Sequence, residues 1–209
     1  MSNPKESLRL SESLEALTFW DINSFTQLDT EIVEGIVECV AASGLTTTDE
    51  DTLNHIQGDL ISVHKDKLTN RVVAFSSTLF GSPNDIFQSQ DLSDTSGCYL
   101  AGATVAADQQ GKGIYKYMNE QRVGVAIDQQ LPMIYTRTQN PRVQAGIQSV
   151  LNGLTESGSI QGYTVERVLM KGCYGHQLTA TKPFDDEISF EELDYDNGDA
   201  YVLMFNLSY

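Results

Sequence analysis

The stretch Ala101–Arg122, AGATVAADQQGKGIYKYMNEQR, decides how the rest of the chain is interpreted. It begins as the end of an apolar strand, passes through a polar bend and a Gly-X-Gly turn, and continues as an amphipathic helix. The turn amides would then face outward at the positive end of the helix dipole, where an anionic group binds well. Lys112 and Lys116 add two cations in an otherwise acidic chain. We therefore expect this turn to hold the pyrophosphate of a nucleotide-bearing cofactor.

Length and composition indicate an ordinary globular protein. With 209 residues, 40% of them hydrophobic and 20% charged, the chain is large enough for one domain with a full core. We expect a flexible N-terminal tail at 1–12 and a single domain at 13–209. No apolar run approaches the ~20 residues that a membrane span needs, and the N-terminus lacks the apolar centre of a secretory signal. We therefore predict neither membrane insertion nor export.

The cysteines and the charge restrict the partners further. Cys39, Cys98 and Cys173 are widely spaced and have no zinc-binding pattern, which favours a reducing cytoplasm and no metal site. The formal net charge is −16, which argues against nucleic acid as a partner because phosphate binding needs a basic face. An acidic surface attracts cationic partners such as amines or basic peptides, although it is also typical of simple solubility.

Hydrophobic patterning predicts a mixed α/β (α+β) domain in which helices pack on a mixed sheet. Long surface loops are expected at 81–97 and 172–199. Helices are expected at about Glu31–Ala42, weakly at Thr52–Gln57, from the Gly-X-Gly turn to about Asp128, and from Asn140-Pro141 to about Leu154. Strands are expected at Leu14–Ile22, Leu60–His64, Arg71–Leu79, Cys98–Val105, Met133–Thr138, Tyr163–Met170 and Ala200–Leu207.

Two other kinds of phosphate-binding turn fit poorly. A Rossmann site needs GxGxxG in the first strand-to-helix turn, with an acidic residue ~20 positions later. Here the turn Gly111–Lys116 lacks the third glycine and comes in mid-chain. A P-loop is excluded because the chain has no GxxxxGK[ST] pattern.

The element order and the turn together resemble the GNAT family of acetyl-CoA-dependent N-acetyltransferases. That family carries [Q/R]-x-x-G-x-[G/A] after a V-shaped, splayed strand. Here QGKGIY, from Gln110 to Tyr115, follows the strand CYLAGATV, which ends five residues earlier. A second family pattern, on the next strand and helix, is partly matched by Ala145, Gly153 and Leu154. The resemblance implies a three-layer fold whose central, mostly antiparallel sheet has helices on both faces.

The resemblance also implies the co-substrate and the residues that bind it. The co-substrate would be acetyl-CoA or another acyl-CoA. The strand that lines its pantetheine arm would contain Ala103, Thr104 and Val105. The pyrophosphate turn would consist of Gln110, Gly111, Lys112, Gly113, Ile114 and Tyr115, and Asn140 would be a polar contact to the pantetheine arm.

Three positions depart from the family pattern. Tyr115 replaces the small residue that lets the helix approach the pyrophosphate, so the direction of its side chain matters. Ser149 stands where many members have a tyrosine that protonates the leaving CoA thiolate. Tyr99 stands where some members have a glutamate base, and it is our candidate catalytic residue. A tyrosine, with an ordinary pKa of ~10, is a poor base at neutral pH but can relay a proton or orient an amine. His55 and His64 are the other candidates.

The leading hypothesis is therefore an acetyl-CoA-dependent N-acyltransferase that acts directly on the amine of a small molecule or peptide. The alternative is a catalytically impaired GNAT-fold module, acyl-CoA-binding or sensory, that has lost turnover. A weaker third hypothesis is an interaction protein that keeps only the scaffold. The acidic residues from Asp185 to Asp199 could rim a site for a cationic amine, and an exposed edge on the closing strand could support a homodimer.

Overall fold

The structure is a computed structural model that describes residues 10, 12–45, 47–174 and 189–209. Most predicted elements are confirmed, with boundaries that shift by a few residues. The helices are α1 (Thr30–Ala41), α2 (Asp49–His55), α3 (Pro83–Phe87), α4 (Ile114–Asp128) and α5 (Pro141–Glu156). The strands are β1 (Leu14–Ile22), β2 (Gly58–Asp66), β3 (Val72–Gly81), β4 (Gly97–Val105), β5 (Met133–Thr138), β6 (Gly162–Met170) and β7 (Ala200–Ser208).

The seven strands form one sheet in the order β1-β2-β3-β4-β5-β7-β6. The pairs β1–β2, β2–β3, β5–β7 and β6–β7 are antiparallel, whereas β4 and β5 run parallel. The predicted mixed and mostly antiparallel sheet is therefore confirmed. Parallel neighbours need a crossover between them, and α4 supplies it.

The chain divides into two compact units. The first, here the N-terminal unit, consists of the described residues up to Leu79 together with Leu100–Glu120. The second, here the C-terminal unit, consists of Phe80–Tyr99 and Gln121–Tyr209. Three elements, β3, β4 and α4, continue from one unit into the other. The predicted single domain at 13–209 and the tail at 1–12 stay predictions.

In the N-terminal unit, helices cover both faces of the β2–β3 pair. Val63 and Phe75 are directly opposite each other in the register and pack with Ile36 of α1 in one buried cluster. The next pair, His64 and Ala74, lies on the other face because successive side chains alternate. That face is covered by α4, since the rings of His64 and Tyr117 meet edge-on with their centroids 5.7 Å apart.

In the C-terminal unit, β5, β7 and β6 are neighbouring strands of the sheet, with β6 at its edge, and α5 presents an apolar stripe. Ile147, Val150 and Leu151 are buried on α5 at helical spacing, as the sequence predicts. The helix is fixed to the neighbouring strand by Tyr163 of β6, whose hydroxyl donates to the Asn152 side-chain oxygen at 2.7 Å.

Two predictions about the fold are wrong. The segment 81–97 is not only a surface loop, because it contains the helix α3, which begins after Ser82 and has Pro83 buried at its first turn. The closing strand β7 is not an edge, because it pairs with β5 on one side and with β6 on the other. The edge strands are β1 and β6. The basis for a homodimer through β7 is therefore lost, and the homodimer itself stays a prediction.

None of the helices in the described part of the chain combines the length and the apolar character that crossing a bilayer requires.

Candidate functional site

The Gly-X-Gly turn has the backbone conformation that its glycines make accessible. After β4, a 3-10 turn at Ala107–Gln109 leads through Gln110 to Gly111 and Gly113, whose φ angles are +75° and +80°. Side chains strongly disfavour this left-handed region, and glycine enters it without steric cost. α4 then begins at Ile114. The left-handed backbone at these two positions therefore explains why the sequence has glycine at both of them.

The first amides of α4 are placed to receive an anion. The first hydrogen bond of the helix joins the Tyr117 N–H to the Gly113 carbonyl at 3.0 Å. The N–H groups of Ile114, Tyr115 and Lys116 consequently have no acceptor one helical turn earlier. They lie at the positive end of a 15-residue helix. This is the arrangement that binds phosphate groups at helix N-termini.

Gln110 fixes the start of the turn and does not project from it. Its side-chain amide donates to the Val105 carbonyl at 3.0 Å and to the Ser43 carbonyl at 3.3 Å. Lys112, which is exposed, donates to the Gln109 side-chain oxygen at 2.9 Å. In these hydrogen bonds, neither side chain is bonded to a backbone amide of the turn. The roles of Gln110 and Lys112 in cofactor binding stay predictions.

Tyr115 is held in the core of the N-terminal unit. Its half-buried side chain packs against the cluster that includes Val73, Val105 and Met118. Ala103 of β4 packs on the same cluster, while Thr104 and Val105 are buried. The side chain of Tyr115 thus contributes to packing. The backbone amides of the turn are the groups that remain available to bind an anion.

Tyr99, the candidate catalytic residue, lies in the C-terminal unit. It is directly opposite Tyr135 in the two-pair ladder between β4 and β5, and the two rings stack with centroids 5.2 Å apart. Its side chain is buried, which raises the pKa of its hydroxyl. The neutral phenol is therefore the form present near neutral pH, which disfavours a base role. Its catalytic role stays a prediction.

Asn140, also in the C-terminal unit, caps α5. Its side-chain oxygen accepts a hydrogen bond from the Arg142 N–H at 2.8 Å, and its own N–H donates to the Thr138 hydroxyl at 2.9 Å. The oxygen is therefore occupied by the cap, as expected for asparagine before a proline at the first helical position. Any contact with a pantetheine arm is left to the side-chain nitrogen and stays a prediction.

The other acid–base candidates have separate environments. His64 is completely buried against Tyr117, whereas the exposed His55 ends α2 with its Nδ1 2.7 Å from the Asp51 carbonyl oxygen. Ser149, in the family's tyrosine position, is exposed on α5. Among the described residues, no group of three or more His, Cys, Asp or Glu side chains is arranged to hold a metal ion.

The acidic segment is only partly described. Asp185, Asp186 and Glu187 lie outside the described residues. Asp199 is buried and organises a turn: it accepts hydrogen bonds from the Gly172 N–H at 2.8 Å and the Asn197 side chain at 2.9 Å. The hydrogen bond from Gly172 holds the pKa of Asp199 below its ordinary value. Asp199 therefore has a structural role. That the acidic residues from Asp185 to Asp199 rim a site for a cationic amine stays a prediction.

The sequence analysis did not single out an aromatic cluster around Arg137 in the C-terminal unit. The Arg137 guanidinium carbon lies 4.5 Å from the centroid of the Tyr174 ring and 5.4 Å from that of Phe87. Phe87 also meets Tyr99 and Tyr135 edge-on, with centroids 5.0 Å and 6.1 Å away. The sequence held one signal of this cluster: Tyr135 and Arg137 are two residues apart on one strand, so their side chains share a face of the sheet. Phe87 and Tyr174 join them only through tertiary structure.

The three cysteines are thiols, and their environments predict different reactivities. Cys39 and Cys98 are buried, and burial raises the pKa of the Cys39 thiol to about 11. Burial raises the pKa of the Cys173 thiol as well, but Cys173 is only half-buried, so its accessibility is what distinguishes it. We expect a disulfide reagent at pH 8 to modify Cys173 in the native protein and the other two only after denaturation. Peptide mapping by mass spectrometry measures this, and rapid native labelling of Cys98 would contradict its assignment as a core residue.

Comparison with protein-family models and with curated protein sequences returns no match. Solved structures do resemble the chain. Naa20 from Chaetomium thermophilum, in complex with a bisubstrate analogue, matches with a TM-score of 0.53 and 14% identity, over 93% of this chain and 86% of that one. The NatC complex bound to Gag peptide and CoA matches with a TM-score of 0.50 and 12% identity, over 93% and 99%.

An acetyltransferase from Desulfovibrio desulfuricans, assigned to the GNAT family, matches with a TM-score of 0.52 and 12% identity, over 93% of this chain and 99% of that one. Identities this low establish the fold and nothing finer. The strand order, the parallel β4–β5 pair and the Gly-X-Gly turn before α4 agree with that result. The chain has the fold of the GNAT acetyltransferases.

Proposed function

We propose that the protein is an N-acyltransferase that uses acetyl-CoA as its co-substrate and transfers the acetyl group directly to an amine. The observation that carries the proposal is the turn at Gly111 and Gly113, whose left-handed backbone presents the first amides of a long helix. Two proteins with the same fold were solved with CoA or with a bisubstrate analogue. These observations support a pyrophosphate-binding turn in this chain.

The proposed reaction is a single transfer. A neutral amine attacks the carbonyl carbon of the thioester, a C–N bond forms and the C–S bond breaks. CoA leaves as a thiolate, which takes up a proton, and the attacking nitrogen loses one. The protein's part is to orient the two reactants and to stabilise charge on the carbonyl oxygen. In the N-terminal unit, we assign co-substrate binding to Ala103–Val105 and to the turn from Gln110 to Tyr115.

The first experiment separates binding from catalysis. Acetyl-CoA should raise the melting temperature, because a ligand at about 100 times its Kd adds about 2.7 kcal/mol to the free energy of unfolding. A panel of primary amines is then incubated with acetyl-CoA, and free CoA is quantified by chromatography. Thiol reagents are avoided because Cys173 is half-buried and expected to react. Binding with amine-dependent CoA release supports the proposal, and the absence of both contradicts it.

A second candidate is a module that binds acyl-CoA without turnover. It is favoured by the exposed Ser149, which lies in the family's tyrosine position, and by Tyr99, whose burial keeps its hydroxyl protonated near neutral pH. This candidate predicts the same increase in melting temperature with acetyl-CoA. It predicts no amine-dependent CoA release over a broad panel of acceptors, so the two measurements together distinguish the candidates.

A further inference from the structure

Arg137 is a cation that the proposed acetyl-transfer chemistry does not use. It lies on β5 in the C-terminal unit, and its guanidinium is covered by the rings of Phe87 and Tyr174. All three side chains are half-buried, so the cluster reaches the protein surface. Beneath it, the stacked rings of Tyr99 and Tyr135 form a buried aromatic floor.

No acidic side chain of the described residues neutralises this guanidinium. The chain has 29 aspartates and glutamates, and the ion pairs found among the described residues include Lys65–Glu31 and Arg71–Asp108. Arg137 belongs to neither pair, and within the described part of the chain its buried Nε atom has no hydrogen-bond partner. A half-buried charge without a counter-ion is costly, and aromatic rings attract a cation without supplying the opposite charge. Within residues 10, 12–45, 47–174 and 189–209, the guanidinium is therefore left without an anion.

The aromatic residues cannot supply that anion themselves. Burial raises the pKa of Tyr99, Tyr135 and Tyr174, so their hydroxyls stay protonated near neutral pH. The Tyr174 hydroxyl already donates to the Arg137 backbone carbonyl at 3.1 Å, which ties the ring to the strand. Burial lowers the pKa of Arg137, yet the net shift is upward, so the group carries its charge throughout the neutral range. The guanidinium thus remains charged and positioned.

The chemistry of the site fits a carboxylate. A guanidinium presents a planar fork of N–H donors that matches the two oxygens of a carboxylate. One unpaired positive charge balances a carboxylate monoanion, whereas a phosphate dianion would leave negative charge uncompensated. The partly exposed rings of Phe87 and Tyr174 provide apolar surface for the carbon skeleton beside the carboxylate.

We propose that Arg137, held between Phe87 and Tyr174, binds the carboxylate of a small organic acid. A cation at this point selects for an acid and against a simple amine of equal size, because an amide or an unsubstituted end leaves the guanidinium unpaired.

The binding test uses the full chain without acetyl-CoA and matched pairs of probes. L-Phenylalanine is compared with L-phenylalaninamide, and 4-aminobutyrate with 4-aminobutyramide, by saturation-transfer NMR titration at pH 7. Each acid should bind about tenfold or more tightly than its amide, as expected for hydrogen bonds to a charged group. Arg137→Gln should remove that difference. Arg137→Lys, which keeps the charge but not the fork, should retain only part of it.

Arg167→Gln is the matched control. Arg167 lies on β6 in the same unit, with its guanidinium 5.5 Å from the Phe190 ring, but it is exposed. Its loss should leave carboxylate binding unchanged. Equal binding of acid and amide by the unaltered protein, or an undiminished difference in both Arg137 variants, would overturn the proposal. Binding of inorganic phosphate through Arg137 in the absence of carboxylate binding would overturn it as well.

Kinetics then separate this proposal from the proposed function. Acetyl transfer is assayed in parallel, as the release of CoA from acetyl-CoA in the presence of the amine panel. Carboxylate binding through Arg137 without any acetyl transfer would refute the proposed function while supporting this site. Acetyl transfer by a protein that binds acid and amide equally would support the function and refute the site.

Discussion

Replacing Gly113 with valine is expected to abolish the increase in melting temperature that CoA produces. Gly113 has a φ of +80°, where a β-branched residue is a severe outlier. The left-handed conformation costs a side-chain-bearing residue ~1–2 kcal/mol, so the turn relaxes and moves the first amides of α4. Losing two hydrogen bonds to a charged group, at ~1.5–3 kcal/mol each, raises the Kd of CoA about a hundredfold or more. Calorimetric titration with CoA measures this change.

Gly124→Ala is the control for that variant. Gly124 lies in the interior of α4, the helix that Gly113 precedes, and a Cβ there would meet no atom within 4 Å. Alanine should add up to about 1 kcal/mol to the free energy of unfolding and leave CoA affinity unchanged. Gly111→Ala, with a φ of +75° and open space around it, tests backbone strain without steric contact. A folded Gly113→Val protein with normal CoA affinity would contradict the assignment of the turn.

Replacing Gly97 with alanine is expected to give a large loss of stability. An added Cβ would lie 2.6 Å from the Met133 carbonyl oxygen, which belongs to the neighbouring backbone and cannot rotate away. Gly97 directly precedes the short ladder in which Cys98 and Tyr99 pair with β5. Relief of the contact therefore disturbs the pairing itself. The overpacking should cost about 1–3 kcal/mol, which lowers the melting temperature by about 3–10 °C.

Thermal and urea unfolding of Gly97→Ala, compared with Gly162→Ala, measure this effect. Gly162 also lies in a strand of the C-terminal unit, but an added Cβ there meets nothing within 4 Å. The control should change the free energy of unfolding by less than about 0.5 kcal/mol. Equal stability of the two variants would show that β4 and β5 can separate locally without cost.

The sequence predicts those parts of the fold that have a long, regular pattern. The stripe on α5 and the spacing of Gly111 and Gly113 both follow from short-range rules, and both are found in the structure. The sequence analysis did not predict α3, because its five residues are too few to show helical periodicity. Ser82, whose hydroxyl accepts from the Asp85 N–H at 3.1 Å, and Pro83 after it were the local signals of that helix.

The site is less predictable than the fold because its parts meet through tertiary structure. The role of Tyr115 could not be decided from its neighbours in sequence, since its packing partners include Val73, about forty residues away. The Arg137 cluster is a stronger example. Phe87 and Tyr174 lie in segments where the sequence predicts only loops, and no local rule brings either ring to a strand residue.

The interleaving of the two units has a consequence for how the polypeptide is made. The chain passes from one unit to the other between Leu79 and Phe80, between Tyr99 and Leu100, and between Glu120 and Gln121. No single truncation can therefore release either unit as a complete fragment. During synthesis, the N-terminal unit must wait for Leu100–Glu120 to leave the ribosome, while Phe80–Tyr99 must wait for the residues after Gln121. Nascent chains that stall before residue 120 would expose incomplete cores and depend on chaperones.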